Sequence, residues 1–216
     1  MLLLQLIEAK DWQKLNSIFL LNPEKFRAMS SMINSKSSSF NGMTLLHATC
    51  RFNPPSKIVR RMIELCPDDV KAVDCLNRTP LHVAAGTGAS FNVVDALLDA
   101  YPQACDTQDD DGRTPLHLAC DRSCILFEGS VNSNDAPNYD IVSNLISASP
   151  SSVTLEDDDE MTALEYALMS SGELNVVRML QKASQKILRQ KQEESKTKQQ
   201  LVGFSPKGKV FTARSA

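Results

Sequence analysis

Three histidines are the residues whose type and spacing most resemble a catalytic or metal-binding set. His47, His82 and His117 are separated by equal intervals of thirty-five residues. Imidazole nitrogens are common metal ligands in proteins, and they act as acids and bases near neutral pH. Each histidine, however, stands at the same place in a recurring segment. A row of equivalent structural positions in successive repeats would produce the same spacing.

The cysteines and carboxylates do not complete a recognisable site either. Cys120 and Cys124 are separated by three residues, yet no second pair stands at zinc-finger spacing. The sequence has no glycine-rich phosphate loop, no nucleophile elbow and no pair of carboxylates in a catalytic motif. We therefore predict that the protein is not an enzyme and has no catalytic residues, no metal site and no cofactor.

Each histidine lies in a short segment that predicts the start of a helix. Threonine is a good N-cap, and proline is tolerated at the first helical position because its missing N–H has no helical partner there. Leu81 and Ala84 then fall on one face of the predicted helix. The segment at 77–85 recurs at 112–120, more weakly at 42–50 and in degenerate form at 160–167. A fixed period of this size predicts a repeat array.

A second pattern, anchored on prolines, supports the same period. Apolar residues stand eight, five and four positions before Pro23, Pro67, Pro102 and Pro150. These spacings place the apolar residues on one helix face. Proline also disfavours helical geometry in the residue that precedes it. We therefore predict a second helix in each unit, which ends before its proline.

The recurring segment resembles the T-P-L-H-x-A signature of ankyrin repeats, which residues 79–84 and 114–119 match at every fixed position. The resemblance implies an all-α repeat solenoid, in which stacked antiparallel helix pairs are joined by extended finger loops. It also implies that the motif histidine is a structural residue, hydrogen-bonded near the motif threonine. The period exceeds the common period of the family by two residues, which we place in the finger loops.

These patterns predict a stack of repeats with atypical ends. The bounds are 1–29 for an N-terminal helical pair (a cap or a truncated repeat), 30–40 for a flexible serine-rich connection, 41–75, 76–110 and 111–158 for full repeats, 159–190 for a capping repeat and 191–216 for a basic, disordered tail. The third repeat carries an inserted loop near 122–138 that is rich in turn residues. In the last repeat Glu165 replaces the histidine, and a long helix is predicted from about Glu173 past Leu188.

The composition is that of a globular protein inside the cell. The chain is 42% hydrophobic and 23% charged, which is ordinary for a globular domain. It has no apolar run near the roughly 18 residues that a membrane span needs, and its N-terminus lacks the pattern of a signal peptide. Six cysteines without a secretory signal predict reduced thiols. We therefore expect an intracellular location, cytoplasmic or nuclear.

Charge is unevenly distributed along the chain. Residues 182–216 contain nine basic and two acidic side chains, a net charge of +7, so the other 181 residues carry −10. Two acidic clusters, at 106–111 and 156–160, precede motif threonines and fall in predicted finger loops. They favour another protein with a basic segment as the partner, rather than a small-molecule substrate. The same acidity would also suit a solvated loop edge, and the basic tail is itself a candidate occupant.

Two alternatives to protein binding remain at this point. The basic tail could bind nucleic acid or an anionic surface, although Phe204 and Phe211 are its only aromatic residues for stacking on bases. The chain could instead be a regulatory segment of a larger protein.

Family resemblance also implies which residues would meet a partner: those just before the motif threonine and those after the small residues of the first helix. By position these candidates are Phe40, Met43, Arg51, Phe52, Leu76, Arg78, Thr87, Asp110, Asp111, Arg113, Asp121, Arg122, Asp158, Asp159 and Met161. Arginine and aromatic side chains are the commoner hot spots of interfaces. We therefore expect Arg78→Ala combined with Arg113→Ala to abolish partner capture without altering thermal unfolding.

Overall fold

The computed structural model describes residues 2–35, 41–121, 123, 126–127, 138–170 and 173–202. In the helices that end at 35 and 202, side chains are described as far as residues 31 and 196. The regular structure of these residues is helical, as the repeat pattern predicts. The α-helices are α1 Leu2–Glu8, α2 Trp12–Leu21, α3 Pro23–Ser35, α4 Leu45–Cys50, α5 Ser56–Leu65, α6 Pro80–Gly86, α7 Phe91–Ala100, α8 Pro115–Cys120, α9 Tyr139–Ala148, α10 Ala163–Met169 and α11 Leu174–Val202.

The helices form two layers of a solenoid. In the inner layer α1, α4, α6, α8 and α10 pack successively against one another. In the outer layer α2, α5, α7, α9 and α11 do the same. The extended connections before α4, α6, α8 and α10 are the fingers, and the inner helices and fingers together form the concave face. The predicted all-α repeat solenoid of ankyrin type is confirmed.

The motif threonines begin the inner helices, as the sequence predicts. Thr44, Thr79, Thr114 and Thr162 are the N-caps of α4, α6, α8 and α10, each in a capping box with the residue three positions later. The side-chain oxygen of an N-cap satisfies a backbone N–H that has no partner within the helix. These helices have only six or seven residues, so their packing rather than their length must stabilise them.

The prolines end the outer helices but do not lead directly into the fingers. After α5, α7 and α9 the chain forms short 3-10 helices at Pro67–Val70, Pro102–Asp106 and Pro150–Thr154. Proline suits the first position of each turn because its fixed φ is helical and its missing N–H is not required. The connection between an outer helix and the next finger is therefore a 3-10 turn followed by extended chain.

The core lies between the two layers, where the predicted helix faces meet. The residues eight positions before the prolines, Leu15, Val59, Val94 and Val142, are all fully buried. Leu81 and Leu116 of the inner helices are 1% exposed. At the C-terminal end Val176, Val177 and Leu180 of α11 close the core. None of the described helices is long and apolar enough to cross a membrane.

The N-terminal end differs from the prediction, because the flexible connection does not begin at residue 30. Pro23 starts α3 instead of a 3-10 turn, and this helix continues to Ser35. Phe26 packs edge-on against Phe19 with ring centroids 4.8 Å apart. The buried Ser30 hydroxyl donates to Asp69 at 3.1 Å. These contacts tie α3 to the array, and residues 36–40 lie outside the described part of the chain.

The C-terminal boundary also differs, because the helix does not end near residue 190. The predicted start near Glu173 and the extension past Leu188 are confirmed, but α11 continues to Val202. Residues 191–196 are exposed along it, so helical structure there extends beyond the packed core. The rest of the predicted tail, 203–216, and most of the predicted insertion at 122–138 lie outside the described residues.

Candidate partner-binding surface

Three fingers share a turn that is built on a buried aspartate. Asp74, Asp109 and Asp157 each stand five residues before a motif threonine and are less than 10% exposed. One carboxylate oxygen of each accepts two backbone N–H groups, from the residues two and four positions later, at 2.8–3.1 Å. This is the turn geometry that short acidic side chains favour. Each aspartate therefore folds its finger.

The same aspartates differ in their electrostatic surroundings. Burial raises the pKa of Asp109, although the N–H groups of Arg113 and Asp111 oppose the rise. Burial also disfavours the Asp157 carboxylate, but the Tyr166 hydroxyl, which donates at 2.6 Å, helps to hold the Asp157 pKa below its usual value. Burial and this hydrogen bond raise the pKa of Tyr166 to about 12. The last finger thus keeps a charged, hydrogen-bonded carboxylate under neutral conditions.

Backbone hydrogen bonds join successive fingers into a continuous edge. Cys75 donates to the carbonyl of Asn41 at 2.7 Å, and Asp110 donates to the carbonyl of Leu76 at 3.0 Å. Asp158 donates in turn to the carbonyl of Asp111 at 3.1 Å. The tips therefore lie side by side at a fixed spacing, and side chains at equivalent positions form a row along the concave face.

The three histidines connect adjacent repeats. Nδ1 of His47, His82 and His117 accepts the N–H of the capping threonine at 3.0–3.2 Å. Because Nδ1 is an acceptor, Nε2 carries the proton and donates to a backbone carbonyl of the next repeat, at 2.8 Å for His47. Burial lowers the pKa of His47 and His82 to about 4 and also lowers that of His117. Both ring nitrogens are used within the fold, which is the structural role implied by the family resemblance.

The cysteines in the repeat core serve as small apolar side chains. Burial raises the pKa of the Cys50 and Cys120 thiols to about 12, so both remain protonated at neutral pH. Within the described residues, no three His, Cys, Asp or Glu side chains are grouped so that they could hold a metal ion. Cys124 lies outside those residues.

A cavity of about 310 Å³ opens on the concave face between the second and third fingers. It combines exposed finger residues with buried charged residues from the fingers and from the chain after α8. Leu76 and Asp111 are exposed, whereas Asp109 and Asp121 are buried and Arg113 is half-buried. The cavity is lined by Leu76, Arg78, Asp109, Asp111, Arg113, Leu118, Asp121, Ser123 and Leu126.

The predicted contact residues divide by exposure. Leu76, Asp110, Asp111, Asp158 and Asp159 are exposed; Met43, Arg51, Phe52, Thr87, Arg113 and Met161 are half-buried; Arg78 and Asp121 are buried; Phe40 and Arg122 lie outside the described residues. The exposed members all belong to the fingers. Thr87 turns inward, and its hydroxyl lies 2.7 Å from the Val83 carbonyl and 3.3 Å from the Cys50 carbonyl.

Arg78 cannot be truncated without affecting the fold, because its side chain is part of the structure. Nε and Nη2 donate to one oxygen of Asp74 at 2.8 and 2.6 Å, and the Arg78 side chain is only 8% exposed. Truncation would leave the Asp74 carboxylate buried without its cation. Arg78→Ala with Arg113→Ala therefore cannot leave thermal unfolding unchanged. Asp121 is similarly internal, since it accepts from Ser123 at 2.6 Å and lies 3.6 Å from Arg113.

Sequence reasoning missed Leu126 and Phe127, which lie on the concave face. The Leu126 carbonyl accepts from Nη1 of Arg78 at 3.4 Å. The Phe127 ring centroid lies 4.4 Å from the Arg51 guanidinium and 5.2 Å from that of Arg78. The available signal was the apolar run Cys-Ile-Leu-Phe at 124–127, within an otherwise polar insertion. An apolar run in a loop indicates a segment that packs back on the structure.

Comparison with known families agrees with this architecture. A family model described as Ankyrin repeats (3 copies) matches residues 16–104, 45–135 and 89–191. Together the three matches reach from the middle of α2 into α11 and cover most of the chain. No curated protein sequence matches the chain significantly.

Proposed function

The chain belongs to the ankyrin-repeat family, and from this premise we propose that it binds a basic segment of a partner protein along the acidic edge of its fingers. Ankyrin repeats indicate a protein–protein interaction module, and proteins built from them are generally non-catalytic. A solenoid offers an extended concave surface on which equivalent positions of successive repeats meet one ligand. The proposal concerns which part of that surface this chain uses, and for which chemistry.

The division of the finger aspartates into two sets carries the proposal. Asp109 and Asp157 are buried and hold the turns through backbone hydrogen bonds. Two aspartates follow each of them in the sequence: Asp110 and Asp111 after Asp109, and Asp158 and Asp159 after Asp157. The side chains of these four residues are exposed. Exposed carboxylates in a row repel one another, and a cationic ligand relieves that repulsion. Four exposed acids on adjacent fingers therefore favour a partner that carries lysine or arginine.

The neighbouring cavity suits one basic side chain of such a partner. Leu76 is 45% exposed at its mouth and offers an apolar contact, while the carboxylate-bearing Asp111 lines the same cavity. Lysine and arginine pair an apolar stem with a charged head, so they match a wall of this mixed character. Arginine has the additional advantage of a planar fork that binds carboxylates through two hydrogen bonds.

The test is selection from a random peptide display library on the intact chain. The finger variant carries Asp110→Asn, Asp111→Asn, Asp158→Asn and Asp159→Asn. The matched control carries Glu8→Gln, Asp68→Asn, Asp140→Asn and Glu173→Gln, four exposed acids outside the fingers. Each variant loses four negative charges, so non-specific attraction of cations decreases equally in both.

We expect the wild-type chain and the matched control to select peptides enriched in lysine and arginine. The finger variant should lose that enrichment while its circular dichroism melt stays unchanged, since the substituted side chains are exposed. Equal enrichment on the finger variant and the control would contradict the proposal.

A second candidate function is binding of nucleic acid or another anionic surface by α11. The observation that favours it is the exposure of Lys182, Lys186, Arg189 and Lys191 along this helix. Such binding would be predominantly electrostatic and would fall steeply with added salt.

A further inference from the structure

Part of the concave face is already covered by the chain itself. Leu126 and Phe127 come from the loop after α8 in the third repeat, but their contacts are with Arg78 and Gly86 of the second repeat and Arg51 of the first. Leu126 and Phe127 thus lie against residues of the two repeats that precede their own. A segment in this place lies where the concave face of a solenoid meets its ligands.

The Phe127 ring contacts an arginine of the first full repeat and an arginine of the second. Its ring centroid lies 4.4 Å from the Arg51 guanidinium and 5.2 Å from the Arg78 guanidinium, within the range of cation–π attraction. Asp74 fixes the Arg78 side chain in place through two hydrogen bonds. The Phe127 ring therefore meets at least one cation whose position is set independently of it.

Leu126 lies against Gly86, where a side chain would also crowd Leu118 of the next inner helix. Gly86 is the last residue of α6 and does not have a positive φ, so its backbone conformation is open to any residue. A Cβ atom built at Gly86 would lie 2.5 Å from Cδ1 of Leu126, which is closer than atoms can pack. Glycine at this position leaves room for an aliphatic side chain on the concave face.

The main chain of the same segment is also recognised. The carbonyl of Leu126 accepts from Nη1 of Arg78 at 3.4 Å, the one part of that guanidinium that faces away from Asp74. Gly86 leaves space for an aliphatic side chain, Arg51 and Arg78 contact an aromatic ring, and Arg78 donates to the carbonyl between the two residues. Together these contacts specify two consecutive residues. They do not depend on how the rest of the segment continues.

We propose that Arg51, Arg78 and Gly86 form a docking site for an aliphatic–aromatic residue pair of a partner protein, which Leu126 and Phe127 occupy in the free chain. The inference rests on the proposed function only in placing a protein segment on the concave face, since it concerns a site other than the acidic finger edge. A tethered segment competes at an effective concentration of about millimolar. A partner must displace Leu126 and Phe127, so its apparent affinity is lower than the affinity of the empty site.

The experiment measures binding of a labelled peptide to the intact chain by fluorescence anisotropy. The probe has the sequence of residues 123–128 with serine in place of Cys124. The emptied variant is Leu126→Ser with Phe127→Ser, and its matched control is Leu20→Ser with Leu21→Ser, two leucines that are 68% and 76% exposed on α2. We expect the emptied variant to bind the probe at least about 10-fold more tightly than the wild-type chain and the control.

A second substitution tests the space for the aliphatic side chain itself. Gly86→Ala places a methyl group where the leucine of the probe must lie, while alanine is a stronger helix former than glycine. Added to the emptied variant, it should weaken probe binding, because the leucine of the probe must shift away from the methyl group, and it should leave the chain folded. A probe with serine in place of its leucine and phenylalanine should not bind any of these variants.

The proposal is overturned if the emptied variant binds the probe no better than the wild-type chain, or if Gly86→Ala leaves binding intact. It is also overturned if the emptied variant fails to fold, because Leu126 and Phe127 would then be structural. These outcomes are independent of the finger edge. If the chain selects basic peptides but does not bind the probe, the proposed function stands and this docking site is rejected.

Discussion

At the scale of single residues, Arg78 and Arg113 occupy the same motif position but differ in burial and in the length of their ion pairs. The Arg78 side chain is 8% exposed and pairs with an Asp74 side chain that is fully buried. The Arg113 side chain is 23% exposed and lies 3.6 Å from Asp121 and 3.7 Å from Asp157. Removing one partner of a buried pair leaves the other charge without compensation, whereas water reaches the more exposed arginine.

We therefore expect Arg78→Ala to lower the free energy of unfolding by roughly 3–5 kcal/mol. Arg113→Ala, at the equivalent position of the next repeat, should cost less, roughly 1–3 kcal/mol, because its ion pairs are longer and its own side chain is more exposed, although Asp121 and Asp157 are buried. Urea unfolding followed by circular dichroism measures both values. Equal losses for the two variants would show that the shorter and more buried contact of Arg78 with Asp74 adds no more stability than the longer ion pairs of Arg113.

Arg78 also shows what the sequence could and could not predict about the surface. The motif threonine, proline and histidine predict their own hydrogen bonds because each acts within one helical turn. The exposure of Arg78 depends on Asp74 and on a segment more than forty residues later. A partial signal was present, since an aspartate stands five residues before the motif threonine at 74, 109 and 157. Contacts made by an irregular loop have no such periodic signal.

At the scale of elements, the helices of the repeats were predictable and the two ends of the array were not. In a repeat, two apolar patterns and two prolines set the bounds of a helix pair. Helix α3 has no equivalent in the other described units, and Phe26 and Ser30 stabilise it through contacts with Phe19 of α2 and with Asp69 of the 3-10 helix Pro67–Val70. The serine-rich composition was therefore misleading for residues 30–35, because tertiary contacts outweighed local preference.

The distal half of α11 should contribute helicity but little stability. Residues 191–196 are exposed, and the hydrogen bond from Lys191 to Thr154, at 3.1 Å, joins that part to the array. Truncation after Gln190 keeps Val176, Val177 and Leu180, so we expect the free energy of unfolding to fall by less than about 1 kcal/mol while the far-ultraviolet helical signal decreases. A loss of several kcal/mol would place part of the core beyond residue 190.

The same truncated chain tests the second candidate function. It lacks six of the nine basic residues of 182–216 but keeps Lys182, Lys186 and Arg189, so binding to single-stranded nucleic acid at physiological salt should weaken, and its salt dependence should become less steep, if this region is responsible. Binding that is weak in the intact chain and unchanged by truncation would reject nucleic acid as the partner.

At the scale of the whole molecule, the histidines form a line of contacts through the stack. His47 bonds to the carbonyl of Arg78, His82 to that of Arg113, and His117 to those of Leu155 and Met161. Each inner helix is thereby tied to the finger of the next repeat. Glu165 takes the capping position in the last repeat, where its side chain accepts from Thr162 and no further finger follows among the described residues. The last repeat of the described stack is thus the one that carries glutamate in place of the motif histidine.

This line of contacts makes stability depend on pH in a defined window. Burial lowers the pKa of His47 and His82 from 6.5 to about 4. Between pH 6.5 and pH 4 these histidines are protonated in the unfolded chain but not in the folded chain. Their contribution to the free energy of unfolding is therefore complete above pH 6.5 and is lost as the pH falls towards 4. Each of these two rings should account for about 2 kcal/mol of lost stability between pH 8 and pH 5.

Urea unfolding at a series of pH values measures this loss, and one substitution assigns it. His82→Gln keeps an oxygen that can accept from the Thr79 N–H but does not titrate. Its free energy of unfolding should therefore fall by about 2 kcal/mol less than that of the wild-type chain over the same interval. The carboxylates with lowered pKa, Asp11, Asp157 and Glu165, lose their contribution only below about 3.8 for the two aspartates and 4.5 for the glutamate, outside most of this window. Stability that stayed constant from pH 8 to pH 5 would mean that the histidines are not the neutral links between repeats.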